Sequence, residues 1–333
     1  MDIGFLDVLL AVFSLIILII PGYILVKVKF IGQNAGNVLS TVVLYVCQPA
    51  LAFIGFQKAN FNSSIALNML IVAGLSILMH VVMYFVVWVA TIRVGKTPKY
   101  NVMKYACIFG NCGYMGLPFL QALFGGSDAV LGEILIYGAI VISIFNIFNW
   151  TLGVYMVSKD KKEISVKKIL LNPTIIAVVL GFVLFVTLQR PLVDVVAQGN
   201  FFDGLLEAIM KGVNFLSETV TPLSMMVIGI RLANVKMSKL ITEYSVYPVV
   251  GLKLITMSFI AIIMVAFLPV STLVKNVMFF LFSMPCATST ALFAIRYGSD
   301  DSIASIYVIF TTIASILTIP LMYLFFNFMI GLV

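Results

Sequence analysis

Long apolar runs separated by short polar stretches make up almost the whole chain. At about 20 residues per bilayer crossing, the runs fall at roughly 5–26, 36–57, 64–92, 101–125, 128–157, 169–189, 205–231, 241–268, 272–297 and 302–331. They predict an all-α polytopic membrane protein of ten transmembrane helices with almost no soluble domain. Two runs carry helix breakers at their centres. The fourth, I-F-G-N-C-G-Y-M-G-L-P-F-L-Q-A-L-F-G from Ile108 to Gly125, holds Gly110, Asn111, Gly113, Gly116 and Pro118. The ninth, Phe279 to Gly298, holds Pro285 and the cluster Thr288, Ser289, Thr290. Pro118 lacks an N–H and would clash with the carbonyl of Tyr114, so the helix should break between Gly110 and Pro118. Irregular backbone at that depth is tolerated only where protein or a wet cavity satisfies it, which points to a substrate site.

Composition removes the soluble classes. Hydrophobic residues are 62% of the chain and charged residues 10%, against about 25% charged in soluble domains. The net charge of +7 is dispersed over short loops, so no nucleic-acid partner is indicated. The first run is no cleaved signal, because Asp2 and Asp7 flank it in place of a basic segment. Alternate loops carry the basic residues. Those after spans one, three, five, seven and nine hold fifteen, among them Lys159, Lys161, Lys162, Lys167 and Lys168, while the opposite side holds only Lys58, Arg190 and Lys275. The positive-inside bias then places both termini outside and the 158–168 loop in the cytoplasm.

That loop also divides the chain. Gly126-Ser127-Asp128 is echoed 172 residues later by Gly298-Ser299-Asp300, and Pro49 is echoed by Pro222 at an offset of 173. Two landmarks at nearly one offset suggest two five-helix repeats, residues 1–157 and 169–333, joined by 158–168. Five is odd, so the second copy enters the membrane inverted. Inverted repeats with a broken helix in each half are the mark of secondary transporters that bind substrate near the midplane.

The breakers themselves carry a resemblance. Asn111 to Gly125 resembles the fourth-helix crossover of the auxin efflux carriers, and M-P-C-A-T-S-T-A-L-F-A-I-R-Y-G at Met284 to Gly298 is similar to their ninth-helix crossover. The order and spacing extend the likeness over nearly the whole chain and to the wider superfamily of bile-acid, arsenite and riboflavin transporters. The resemblance implies a scaffold of helices 1, 2, 6 and 7, through which a homodimer would form, beside a transport domain of helices 3–5 and 8–10 that moves as an elevator. It implies an organic anion as substrate. Thr290 stands where plant carriers have a second proline, and the loop is short, as in bacterial members; a dicarboxylate such as malate therefore fits better than an indole acid.

The physics of a broken helix points to an anion without the family. The half-helix after each break presents unpaired N–H groups and a partial positive charge. Two such ends should face each other, helped by the Asn111 amide and the hydroxyls of Thr288, Ser289 and Thr290. Cys112, Gly113, Pro118, Pro285 and Cys286 complete the expected binding segment. Ionisable groups inside spans are the coupling candidates. Lys253 lies ~15 Å into span eight, where a lone charge costs ~2.5 to 3.5 kcal/mol on insertion scales, and Glu218 is its expected partner. Glu133 and His80, the one histidine, are further candidates. Glu207 and Lys211, four apart, read as a surface pair. The four cysteines lie inside spans without a C-x-x-C pattern, so neither disulfides nor a metal site is expected, and no cofactor is called for beyond a coupling proton or sodium ion. No H-E-x-x-H or G-x-S-x-G appears, which speaks against an enzyme; a membrane sensor on a transporter fold is the alternative.

Overall fold

The computed structural model describes all residues except 1–2, 33, 96, 126–127, 197–200, 236–241 and 333. Of the sequence landmarks, Gly126, Ser127, Lys96, Lys236 and Lys239 lie outside the described residues. The elements are helices: α1 (Phe5–Lys27), α2 (Ala35–Gln57), α3 (Ser63–Ala90), α4 (Pro98–Ile108), α5 (Cys112–Phe124), α6 (Val130–Ser158), α7 (Pro173–Leu188), α8 (Phe201–Asn234), α9 (Val246–Ala266), α10 (Thr272–Ser283), α11 (Ser289–Arg296) and α12 (Asp301–Gly331). Eight stretches among the described residues are long and apolar enough to cross a bilayer. The two predicted spans with central breakers are each a pair of short helices, α4 with α5 and α10 with α11.

Helix starts follow the polar punctuation. Asn62, Asn172, Ser271 and Asp300 each accept a hydrogen bond from a backbone N–H of the helix they precede, filling donors that no carbonyl reaches in the first turn. Between those caps the helices pack in pairs, α1 on α8, α2 on α7 and α6, α3 on α6, and α9 on α10. The α1–α8 contact is a backbone approach. A Cβ built on Gly22 would stand 2.2 Å from the Met226 carbonyl oxygen, and one on Gly229 would stand 2.1 Å from that of Ile19. Only glycine leaves room for two helix backbones at this distance.

Among the described residues, four helices change pitch along their length. Wide π-helical turns occupy Val43–Cys47 in α2, Cys112–Gly116 in α5, Asn149–Gly153 in α6 and Gly251–Thr256 in α9. Such turns concentrate at functional sites. The π-turns of α2 and α5 each precede a proline, Pro49 and Pro118, and absorb the N–H that it lacks. Here the structure corrects the sequence expectation. Pro118 does not break its helix, since it sits in the first turn of Leu117–Phe124. The break lies earlier, at Phe109–Asn111, where Phe109 turns extended with ψ 113°. In the other broken span Met284, preceding Pro285, is extended with ψ 148°, as the proline ring demands of the residue before it. Helix α8 is interrupted at Thr219, three residues before Pro222.

Loops after the third, seventh and ninth predicted spans meet at one end of the bundle. There Lys99 pairs with Glu243 at 2.8 Å, and the Ser299 hydroxyl donates to the Pro98 carbonyl at 3.1 Å. Partial burial acts to raise the Glu243 carboxyl, but hydrogen bonds from Lys99 and Ser245 outweigh it and hold the group below the usual carboxylate range. Residues near the two ends of the described chain meet, since the Asn327 amide donates to the Ile3 carbonyl at 3.4 Å. Glu207 and Lys211 form the expected exposed pair at 2.7 Å.

Candidate functional site

The two unwound segments meet. Gly110 and Cys286 form an isolated antiparallel bridge, in which the Asn111 N–H donates to the Pro285 carbonyl at 2.7 Å and the Ala287 N–H donates to the Phe109 carbonyl at 2.8 Å. The two breaks thus satisfy each other's backbone, and residues 176 positions apart in the chain, Gly110 and Cys286 (286 − 110), close on one cross. The Cys286 N–H is taken by the Thr311 hydroxyl at 3.1 Å and its thiol donates to the Ala106 carbonyl at 3.2 Å, so α12 and α4 buttress the crossing.

On one side of the cross lies a cavity of 440 Å³. Asn111 and Gly113 at the start of α5, and Thr288 and Ser289 at the start of α11, line it, so two half-helix N-termini face the same space. The sequence reading singles out these four as candidates. It did not find Gln48, Asn146, Asn149, Trp150 and Arg296, which line the same cavity. Tyr105, fully buried, shares hydrogen bonds with Asn149 Oδ1 and with the Ser289 hydroxyl, which leaves the Asn149 NH₂ as the group free for a ligand. Two further amide nitrogens of the lining have no partner among the described residues. Gln48 Nε2 and Asn111 Nδ2 are buried donors with no hydrogen bond, although burying such a group unpaired costs about 1 to 3 kcal/mol. A Cβ on Gly113 would fall 2.6 Å from Gln48 Nε2, so glycine there keeps the Gln48 amide in place.

Cations mark the mouth. The Arg296 guanidinium lies 6.0 Å, and Lys168 Nζ 5.9 Å, from the Trp150 ring, and an adjoining space of 390 Å³ that also touches Trp150 and Arg296 is lined by Lys167 and Lys168. No aspartate or glutamate lines either space among the described residues. The arrangement can bind negative charge through amide and hydroxyl donors, helix ends and a guanidinium.

Several expected contact residues face elsewhere. Thr290 spends its hydroxyl on the Ala287 carbonyl at 2.6 Å, and Pro118 within α5 and Pro285 and Cys286 in the crossing are buried without lining the cavity. Cys112 turns to the opposite side, into a space of only 10 Å³ that it shares with His80, Lys253 and Phe282. The expected Glu218–Lys253 pair is not formed. Glu218 is exposed and accepts from the Asn214 amide at 2.7 Å, whereas Lys253, 1% exposed, donates to the Phe282 carbonyl at 3.3 Å; a backbone oxygen does what a carboxylate was expected to do. His80 is stacked 4.9 Å from the Phe148 ring with Nδ1 held by the Ser76 carbonyl at 2.8 Å. Glu133 accepts from the Tyr137 hydroxyl at 3.1 Å, which accepts in turn from the Asn68 amide at 3.2 Å, remote from the crossing.

Residues 7–323 match the family described as membrane transport protein. The chain belongs to that family. The resemblance to the auxin efflux carriers therefore holds over nearly the full length, and the protein is an integral membrane transporter. It is also 23% identical over 321 residues to the uncharacterized transporter MJ1031 of Methanocaldococcus jannaschii, covering 95% of this chain and 96% of the relative.

Proposed function

We propose that this family member is a secondary transporter of small organic anions that binds a substrate carboxylate on the face of the crossing lined by Asn111, Gly113, Thr288 and Ser289. One observation carries this: the cavity there offers donors and no acidic group among its described lining residues, with the Gln48 and Asn111 amides buried and unpartnered. A carboxylate would satisfy both, and Arg296 at the mouth would draw it in. A substrate with a second carboxylate, such as malate, could reach from the amides to Arg296. Movement would follow the elevator scheme, with the crossing carried by α3–α6 and α9–α12 against a scaffold of α1, α2, α7 and α8 through which two copies pair. Purified protein in liposomes should take up labelled malate or another small carboxylate, with unlabelled anions competing and amines failing to compete. Absence of flux and of any ligand-induced rise in melting temperature across mono- and dicarboxylates, indole acids and amino acids would overturn the proposal.

The meeting of the basic loops after the third, seventh and ninth predicted spans at one end supports a cytoplasmic position for the Lys161 loop and external termini in a bacterial inner membrane. In a variant whose native cysteines are replaced, Lys161→Cys is expected to resist impermeant thiol reagents in intact cells and to react after permeabilisation. Labelling in intact cells would invert the orientation, and with it the side to which the cavity opens.

A further inference from the structure

We propose that the Lys253 ammonium is a resident cation of the crossing, filling behind the substrate cavity the place that a mobile sodium ion would otherwise take. Its part in transport rests on the function proposed above; its part in holding the crossing together does not.

The geometry is that of a cation held by a carbonyl at a helix end. Lys253 sits in the π-helical turn Gly251–Thr256 of α9 and is 1% exposed. Its Nζ donates to the Phe282 carbonyl, in the last turn of α10. A Cβ built on Gly110 would lie 2.9 Å from that Nζ and 3.3 Å from the Met284 carbonyl oxygen, so the ammonium also rests on the stretch where α4 has just ended. The C-terminal end of α10 therefore meets the ammonium through a carbonyl, and the end of α4 lies beside it. Each such end carries about half a negative charge on carbonyls without helical partners, and two of them sum to roughly one charge, which a single ammonium balances. Helix C-termini and unwound carbonyls at mid-membrane are what coordinate coupling ions in transporters built on broken helices.

Nothing else nearby supplies the charge. The small space beside Lys253 is lined by His80, Cys112, Gly110 and Phe282 with apolar neighbours, and no carboxylate of the described residues pairs with the lysine. At 10 Å³ it is at the lower limit for one water and too small for a hydrated ion. The crossing is thus polarised: the positive ends of α5 and α11 face the large cavity, and the negative ends of α4 and α10 lie beside Lys253. A carrier of this construction neutralises its substrate at the front and its own helix ends at the back, without a sodium ion.

The test compares wild type with Lys253→Met in choline, sodium and methylammonium chloride at equal ionic strength. Wild type is expected to melt at the same temperature in all three salts, and to transport as fast in choline as in sodium. Lys253→Met is expected to melt lower in choline and to regain most of the loss in sodium or methylammonium. Its flux should fall roughly tenfold in choline, the scale of one well-placed charge at helix ends, and recover in parallel. A wild-type protein that needs sodium for stability or flux overturns the proposal. So does a Lys253→Met protein as stable and active as wild type in choline, or one whose loss no cation repairs, because the lysine would then be a packing group. If Lys253→Met does not fold in choline, Lys253→Gln takes its place, and folding restored by sodium supports the proposal while failure in every salt overturns it. The expected melting pattern without flux of any anion would leave the resident cation standing and remove the transport function.

Discussion

Gly229→Val is expected to leave little folded protein. The Cβ alone would stand 2.1 Å from the Ile19 carbonyl oxygen and 2.8 Å from the Tyr23 nitrogen. Both are backbone atoms of α1, which cannot rotate aside as a side chain would. Relief requires α1 and α8 to separate, opening the contact made reciprocally by Gly22 against Met226. Overpacking of well-packed sites costs about 1 to 3 kcal/mol and more where neither side yields, so a loss of about 3 kcal/mol or more is the expected scale. Gly212→Ala is the matched control, since nothing lies within 4 Å of a Cβ built there; replacing an unconstrained helical glycine by alanine is neutral or stabilising. Monodispersity and melting temperature after extraction should separate the two variants sharply. Equal yields and melting temperatures would mean that the close approach of α1 and α8 is not required.

Asn111→Leu and Gln48→Met are expected to weaken substrate binding while leaving the unliganded protein at least as stable as before. This combination is unusual for buried polar residues, and it follows from their lack of partners. Asn111 Nδ2 and Gln48 Nε2 have no hydrogen bond to lose, and an apolar replacement of similar shape removes a desolvated donor that costs about 1 to 3 kcal/mol. A bound carboxylate would lose one charge-assisted hydrogen bond in each variant, worth about 1.5 to 3 kcal/mol, or roughly 10- to 150-fold in affinity. Asn111→Asp should be worse than either, because it sets a carboxylate against an anion where Coulomb repulsion is poorly screened. The measurements are substrate-dependent melting shifts and liposome flux for each variant beside the melting temperature without ligand. Normal flux in Asn111→Leu, or loss of stability in step with loss of flux, would give these amides a structural role instead.

Much of this protein could be read along the chain. The spans are visible because lipid imposes a minimum apolar length, and eight helical stretches among the described residues meet it. The loops show themselves through basic residues, and the broken spans through breakers where a helix ought to run on. Asn111, Gly113, Thr288 and Ser289 were legible for the same reason, since polar or glycine residues at the centre of an apolar run have few other uses. Pro118 misled because a proline's effect depends on the turn before it; the π-turn Cys112–Gly116 accommodates it, and the backbone opens at Phe109–Asn111 instead.

What only the tertiary structure decided is which side of the cross each group faces, and which groups from distant spans join it. Cys112 and Gly113 are neighbours in sequence, yet they line different spaces, because successive residues at a helix start point in different directions. Gln48, Asn149 and Arg296 come from three different spans, and the folding of α2, α6 and α11 around one cavity brings them together. Lys253 is the sharpest case. Its depth could be read from its place in the span, but its partner could not, because the partner is a carbonyl and every residue has one. Sequence records side chains, whereas the backbone groups left unpaired where two helices end become distinguishable only once those ends are brought together in space.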